Sequence, residues 1–562
     1  MWVYITIVHY LAPAKYYVCL MKKLTEANAR SFTIQLIIIT FFVRLLIAAY
    51  TGLGVGESYY FRGALHLDWS YFDQPPLFFW LGGLSIKLFG LTNLGLRFPT
   101  VLLFAGASWL MYLITQKLFN AKAGFWAVVL MNLSAVFTIG VACWYQPDCP
   151  LIFFWLLSTY YIIKVLGVGE HKKVDPASRK AYLLWVVIGI CMGFATLSKY
   201  HVLFIFAGVF LFVAVNKDQR HWLTHPGPYL AIVVTILMAM PVIWWNYKNN
   251  WASFVFQGER AGTRDEPFQI HLDWFLRSLG GQAAWLLPWI WFPTIRQLFT
   301  TYKQRAQEAF GFSFWMSVLP IVFFTVITLW ADLQYHFHWQ APGYMMLFMP
   351  LGFAIDKALH GTDEKRKRLT RRWLNFSIYF TIITITVLGL HMVTGFWQSY
   401  GPKWVVSLGG GKTDPTMQGV DYDDIMTRFE KEGWINNDKV FAGSTRWWLT
   451  GKVDWALKGK KDIICFNRDS RNMAFLVDPN KLIGKDAIVI GEDHQETVDN
   501  EVKPFFDNVK QLADIPVIRN GVVESYLQVY YCTNFHEAAT SAAYDDYPLY
   551  RQLKGLPAFG KK

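Results

Sequence analysis

Two carboxylates, Glu57 and Asp148, stand just outside long apolar runs, as does the cation Lys199, and two further cations, Arg260 and Arg264, lie in a loop between such runs. A carboxylate beside an acceptor hydroxyl can take its proton as a general base. Cations beside a departing phosphate stabilise the charge that develops on it. The set suits transfer of a group from a lipid-linked phosphate. Glu57 and Asp148 are the candidate catalytic acids, and Lys199, Tyr200, Arg260 and Arg264 are the candidate phosphate contacts. Tyr59, Tyr60, Tyr71, Gln74, His338 and Trp339 offer rings and polar groups to a substrate. Asp73 and His338 are candidate ligands for a divalent metal ion, with Glu259 and His336 nearby as further donors, but no spacing among them is diagnostic. Each residue also has a plain structural use. Asp148 after Pro147, and Asp73 before Pro75-Pro76, can cap helices. Lys199 can snorkel to a membrane interface, and the rings can form an interfacial belt.

The elements that must position these groups are membrane spans. The chain has 562 residues, 54% hydrophobic and only 17% charged, against about 25% charged in ordinary soluble domains. Apolar runs of near membrane-crossing length recur through the first 400 residues. About eleven spans are expected, near 33–52, 97–115, 123–143, 149–166, 181–198, 201–216, 227–245, 274–295, 309–330, 340–357 and 373–395. Residues 75–90 read as a shorter interfacial or re-entrant helix.

Charge sets the expected orientation. The first 400 residues hold 32 Lys+Arg against 17 Asp+Glu, whereas residues 401–562 hold 21 against 23. The basic residues lie in short connections, so they are read as orientation signals and not as a nucleic-acid footprint. One set of connections carries 22 Lys+Arg and the opposite set seven. The richer set is expected inside. The loops 53–96, 144–148, 246–273 and 331–339, with everything after about 396, then face outside, and every candidate site residue is on that face.

Three parts follow: an N-terminal extension (1–32), a transmembrane catalytic region with external loops (33–396) and a periplasmic α/β domain (397–562). In the last part, helical spacing over 416–434 precedes strand-like runs at 439–443, 462–466, 486–491 and 524–532. Leu408-Gly409-Gly410-Gly411-Lys412 lacks phosphate-loop spacing and reads as a linker. Six cysteines make no CxxC pair. Cys465 and Cys532 lie in the polar tail and can pair if it faces an oxidising space.

An ordered set of motifs carries a resemblance over roughly 33–400: ESYY (57–60), LDWSYFDQPPLFFWL (67–81), QPDCPLIFFW (146–155), GFATLSKYHVLF (193–204), PVIWWNYKNNWASFVFQGER (241–260) and HWQAPGY (338–344). The set resembles the GT-C glycosyltransferases of the protein O-mannosyltransferase superfamily, nearest the bacterial branch of aminoarabinose and galacturonic acid transferases that modifies lipid A and core sugars. The resemblance implies a polyprenyl-phosphate sugar donor of the undecaprenyl type and an inverting transfer. It also implies a glycolipid or protein acceptor and a site in the periplasmic loops of a bacterial inner-membrane protein surrounded by membrane lipids. By position, Glu57 and Asp148 match loop acids of the family, and Asp73 matches a carboxylate associated with metal or phosphate. Lys199, Arg260 and Arg264 match donor-phosphate cations, and His338-Trp339 a late His-Trp pair. Two departures stand out. Gly56 replaces the Asp of the usual Asp-Glu pair, and Gln74 replaces a phosphate-binding lysine of some relatives. The competing classes are a lipid or sugar transporter, which needs polar residues at mid-span, and a non-catalytic relative that binds lipid-linked sugars.

Overall fold

The computed structural model describes residues 23–170, 173–261, 269–333, 335–397, 414–492, 495–538 and 546–559. Residues 1–22, Arg264 and the Gly-rich segment 408–412 lie outside that set. All eleven expected spans fall on helices. However, among the described residues six helices are long and apolar enough to cross a membrane: Ala29–Tyr50, Asn93–Leu118, Asp148–Leu166, Arg179–Ser198, Glu308–Leu329 and Glu364–Thr394. A seventh follows if Pro226–Met238 and Met240–Lys248, bent by 44°, form one span.

The shortfall has local causes. The apolar run over 123–143 stops being α-helical at Leu133 and passes into a π-helical turn at Val136–Val141. The run over 274–295 breaks between Leu272–Leu286 and Pro288–Lys303, where Leu287 takes φ +70° ahead of a proline. That φ is costly for a branched side chain, and the proline supplies no N–H to continue the ladder. Residues 75–90 form the short helix Leu77–Phe89, as expected.

A charge lies well inside one span. Arg44, in the Ala29–Tyr50 helix, is buried, donates to Asn132 Oδ1 (2.7 Å) and Thr138 Oγ1 (2.8 Å), and lies over the Phe104 ring. Its hydrogen bonds tie three segments together, the usual condition for a cation at that depth.

The tail is a five-stranded sheet. Its strands are β1 (Val440–Ser444), β2 (Ile463–Cys465), β3 (Asp486–Gly491), β4 (Phe506–Arg519) and β5 (Val522–Phe535), in the order β2-β1-β3-β5-β4. β1 runs parallel to β2 and β3, and β5 is antiparallel to β3 and β4. Alternate side chains feed two cores, Ala442 and Ile488 on one face, Phe441 and Val489 on the other. β4 has no counterpart among the expected strands. It is an edge strand, where charges and Pro516 are tolerated because one ladder is open. It turns into β5 through Asn520 and Gly521, both at positive φ, as a two-residue hairpin requires. Cys465 and Cys532 are both buried free thiols. They lie on β2 and β5, three strands apart at about 4.8 Å each, so the expected pairing is excluded.

The sheet domain is fastened to the first loop. Arg62 in the Val55–Leu65 helix pairs with Asp454 at 3.0 Å, both side chains almost fully buried. The Lys452 ammonium donates to the carbonyls of Leu53, Gln418 (2.7 Å) and Val420 (2.9 Å). Asp421 accepts from Leu53 N (3.0 Å) and Asn93 Nδ2 (2.9 Å). Gly451 lies so close that an added Cβ would stand 2.5 Å from both N and Cα of Tyr59.

Candidate active site

Four helix ends converge. Asp148 opens the Asp148–Leu166 helix, Lys199 follows Arg179–Ser198, Arg260 lies in the last turn of Ala252–Ala261, and Trp339 precedes Ala341–His360. Each charge suits its own terminus, acid at a helix start and base at a helix end. The first two helices pack side by side in opposite senses. Lys199 Nζ therefore meets Asp148 at 2.9 Å (Oδ1) and 3.1 Å (Oδ2), with both residues 7% exposed.

Trp339 lies close to both cations. Lys199 Nζ is 5.8 Å from its ring centroid and Arg260 Cζ is 5.2 Å, within cation–π range. Arg260 also donates to His336 Nε2 at 2.7 Å. Burial pushes His336 down to about 3, and Arg260, His338 and Lys199 add to the shift. Burial likewise lowers His338 to about 4; Asp148 opposes the shift, while Lys199 and Arg260 reinforce it. Both imidazoles are neutral at physiological pH. The cluster therefore gathers two basic side chains, two neutral imidazoles and one indole face.

Asp73 adjoins this group from the first loop. Gln257, in the helix that carries Arg260, donates to the Asp73 carbonyl at 2.7 Å, and Phe72 packs on Phe256. The Asp73 side chain is 4% exposed, and its Oδ1 has no hydrogen-bond partner among the described residues. Burial raises its pKa, against the pull of Arg471, the Tyr59 hydroxyl and Arg260. Tyr59 and Tyr60 are raised far more, chiefly by burial and then by the Asp73 charge, so both remain phenols. Gln74 Nε2 lies 3.4 Å from the Tyr60 hydroxyl. Tyr200 contacts Ser253 Oγ at 3.4 Å, tying Lys199's neighbour to the Arg260 helix.

Two expected roles change. Glu57 was expected to act as a base. Its carboxylate instead accepts from Arg97 Nε (2.7 Å) and Nη2 (2.6 Å), Tyr145 N (2.7 Å) and Gly54 N (2.8 Å). Four donors fix this buried carboxylate in place, and through Tyr145 it holds the segment that leads to Asp148. Tyr71 was expected to touch substrate. Its hydroxyl bonds the carbonyls of Gly63 (2.8 Å) and His66 (3.2 Å) in the core of the first loop. The expected metal pair also fails to form a donor set. Asp73 lies among Tyr59, Arg471 and Arg260, and His338 near Asp148, Lys199 and Arg260. Among the described residues no three His, Cys, Asp or Glu side chains converge as a metal site, and two nearby cations disfavour a third positive charge.

The tail contributes groups that the motifs did not suggest. Asn472 N donates to the Tyr59 hydroxyl (2.8 Å), and Asn472 Oδ1 accepts from Phe72 N (3.1 Å). Arg471, at φ +49°, stacks its guanidinium 4.0 Å from the Trp447 ring centroid beside Asp73. A left-handed arginine is strained backbone of the kind that gathers at functional sites.

Residues 73–245 match the family described as dolichyl-phosphate-mannose-protein mannosyltransferase. The structure superposes on that of ArnT from Cupriavidus metallidurans bound to undecaprenyl phosphate, with a TM-score of 0.59, 13% identity, and coverage of 89% of this chain and 97% of that one. The fold is that of the GT-C membrane glycosyltransferases. The match with the first relative described next spans about 60% of its length. The undecaprenyl phosphate-alpha-4-amino-4-deoxy-L-arabinose arabinosyl transferase 2 of Proteus mirabilis is 22% identical over 365 residues, which are 61% of this chain and 60% of that protein. The lipid A galacturonosyltransferase RgtD of Rhizobium johnstonii is 22% identical over 298 residues, 52% of this chain and 59% of that protein. Within the GT-C fold, the family-matched stretch holds Asp73, Asp148 and Lys199, whereas Arg260 and Trp339 join them from beyond it.

Proposed function

We propose that this chain is a membrane glycosyltransferase that moves one sugar from a polyprenyl phosphate, of the undecaprenyl class, to an envelope acceptor at the periplasmic face of the inner membrane. The acceptor class is lipid A, a core glycan or a protein. The observation that carries this reading is the placement of Lys199 and Arg260 over the one ring of Trp339, with Lys199 paired to Asp148, in a GT-C fold. The name of the Proteus mirabilis relative supports a lipid-linked sugar donor, and that of RgtD supports a lipid A acceptor.

In this reading the donor phosphate sits on Lys199 and Arg260, with Asp148 holding the Lys199 ammonium in place. Asp73 is the base, because burial makes it a stronger proton acceptor than an ordinary aspartate. The acceptor O–H gives its proton to Asp73, and its oxygen bonds to the sugar's anomeric carbon. The bond from that carbon to the phosphate oxygen breaks with its electron pair on the phosphate, and the two cations stabilise the leaving group. The neutral His336 and His338, Trp339 and Gln74 line the sugar's position.

The test is mass spectrometry of envelope glycolipids and glycoproteins from the native host with and without the gene. A species heavier by one sugar should disappear on deletion and return with the wild-type gene but not with Arg260→Met. An unchanged envelope after deletion, or full rescue by that variant, overturns the proposal.

A further inference from the structure

A cavity of about 720 Å³ opens between the Pro288–Lys303, Ala341–His360 and Glu364–Thr394 helices. It lies at the far end of the molecule from the candidate active site. The Ala341–His360 helix starts beside Trp339 and reaches the cavity at Lys357, roughly 25 Å away at 1.5 Å per residue.

Four cations, Arg296, Lys357, Lys365 and Arg366, line it. None of them forms a salt bridge with a carboxylate of the described residues. Asp363 is the one acid in the lining, and its Oδ1 already caps the Glu364–Thr394 helix by accepting from Arg366 N at 3.0 Å. The rest of the wall is largely apolar, with Phe310, Phe353, Pro350 and Trp373 between the cations. The Lys357 ammonium lies over the Phe353 ring, 4.4 Å from its centroid, so cation and apolar wall adjoin directly.

Four like charges around one cavity repel unless an anion offsets them. A small soluble anion would satisfy the charges and leave the apolar wall wet. A molecule with an anionic head and an apolar body satisfies both. We infer that this cavity binds the headgroup of an anionic phospholipid, with the start of its acyl chains against Phe310 and Phe353. Basic pockets between spans at one membrane face hold anionic lipid headgroups by this chemistry. The connections at this end also carry the chain's excess of Lys and Arg, so the lipid belongs to the leaflet opposite the candidate active site.

The probe is phosphatidylglycerol, compared with phosphatidylcholine of the same acyl chains, each added to the purified full chain in detergent and read by native mass spectrometry. Phosphatidylglycerol should stay bound and phosphatidylcholine should not. Each cation at a membrane surface is worth about fivefold, so Arg296→Gln/Lys365→Gln/Arg366→Gln should weaken phosphatidylglycerol binding on the order of 100-fold. The charge-keeping Arg296→Lys/Lys365→Arg/Arg366→Lys should retain it. If the neutral triple variant fails to fold, raised salt decides on the wild-type chain: it should release phosphatidylglycerol by screening. Inorganic phosphate at matched ionic strength should displace no more lipid than chloride does. Equal retention of the two lipids, indifference to both the triple substitution and salt, or specific displacement by phosphate overturns the assignment.

Discussion

Arg97 grips both oxygens of Glu57, through Nε at 2.7 Å and Nη2 at 2.6 Å, in a site where neither side chain is more than 3% exposed. The pair joins the helix Asn93–Leu118 to the helix that starts the first loop. It also carries Tyr145 N, and with it the approach to Asp148.

Glu57→Gln should act on folding before it acts on chemistry. Removing one partner of a buried pair leaves an uncompensated charge, at a cost of about 3–5 kcal/mol. Thermal unfolding in detergent should show a large drop in the midpoint. A variant as stable as wild type but catalytically dead would return Glu57 to the role of base.

Asp73→Asn should behave in the opposite way. The folded pKa of Asp73 is raised, so the native state binds more protons than the unfolded one, and its charged form weakens the fold as pH rises through that folded pKa. The amide removes this penalty. Transfer should be lost while the unfolding midpoint at pH 7 holds or rises. Substantial residual transfer would exclude Asp73 as the base.

Arg260→Met should lower kcat/KM by on the order of 10²-fold or more, the typical cost of one group that stabilises developing charge. Arg260→Lys should recover part of the loss. Steady-state kinetics with a polyprenyl-phosphate sugar measure both, and equal activity of Met and Lys variants would remove the phosphate role.

His336 gives a pH signature. Its folded pKa is about 3 against an ordinary 6.5. Between those values the unfolded chain takes a proton that the folded chain refuses, so stability falls as pH drops from about 6.5. His336→Gln can still accept from Arg260 and does not titrate. Its unfolding midpoint should therefore lose less between pH 7 and pH 5 than the wild-type midpoint does.

Gly451→Val tests the join between the sheet domain and the first loop. The new side chain would meet the Tyr59 backbone 2.5 Å from its Cβ, and backbone cannot rotate away. Overpacking costs about 1–3 kcal/mol or more. Limited proteolysis should cut between the two parts faster than in wild type.

Much of this was legible in the chain because it is local. A long run of apolar residues favours a helix and a short one bounded by turns a strand, so each expected span falls on helical residues, and β1, β2, β3 and β5 stand where short apolar runs predict strands. Lys199, Arg260, His338 and Trp339 were recognisable by ordered motifs in the connections between runs. Whether a run crosses was less legible, because Leu287 and the turn after Leu133 break two of them through backbone geometry. β4 escaped notice because an edge strand keeps polar residues on a half-open ladder.

What the sequence determined by itself is the class of molecule: apolar helices with a polar tail, and acids, cations and rings gathered in one set of connections. Solvent transfer and helix periodicity dictate that much, and both act over a few residues. The tertiary structure alone decided how each acid is held. Glu57 and Asp73 look alike in the chain, but Arg97, forty positions from Glu57, saturates one, while burial beside a tail packed about 400 positions away leaves an oxygen of the other unpaired. A carboxylate's chemistry is set by its donors and its exposure, and both are supplied by distant segments that only folding brings near.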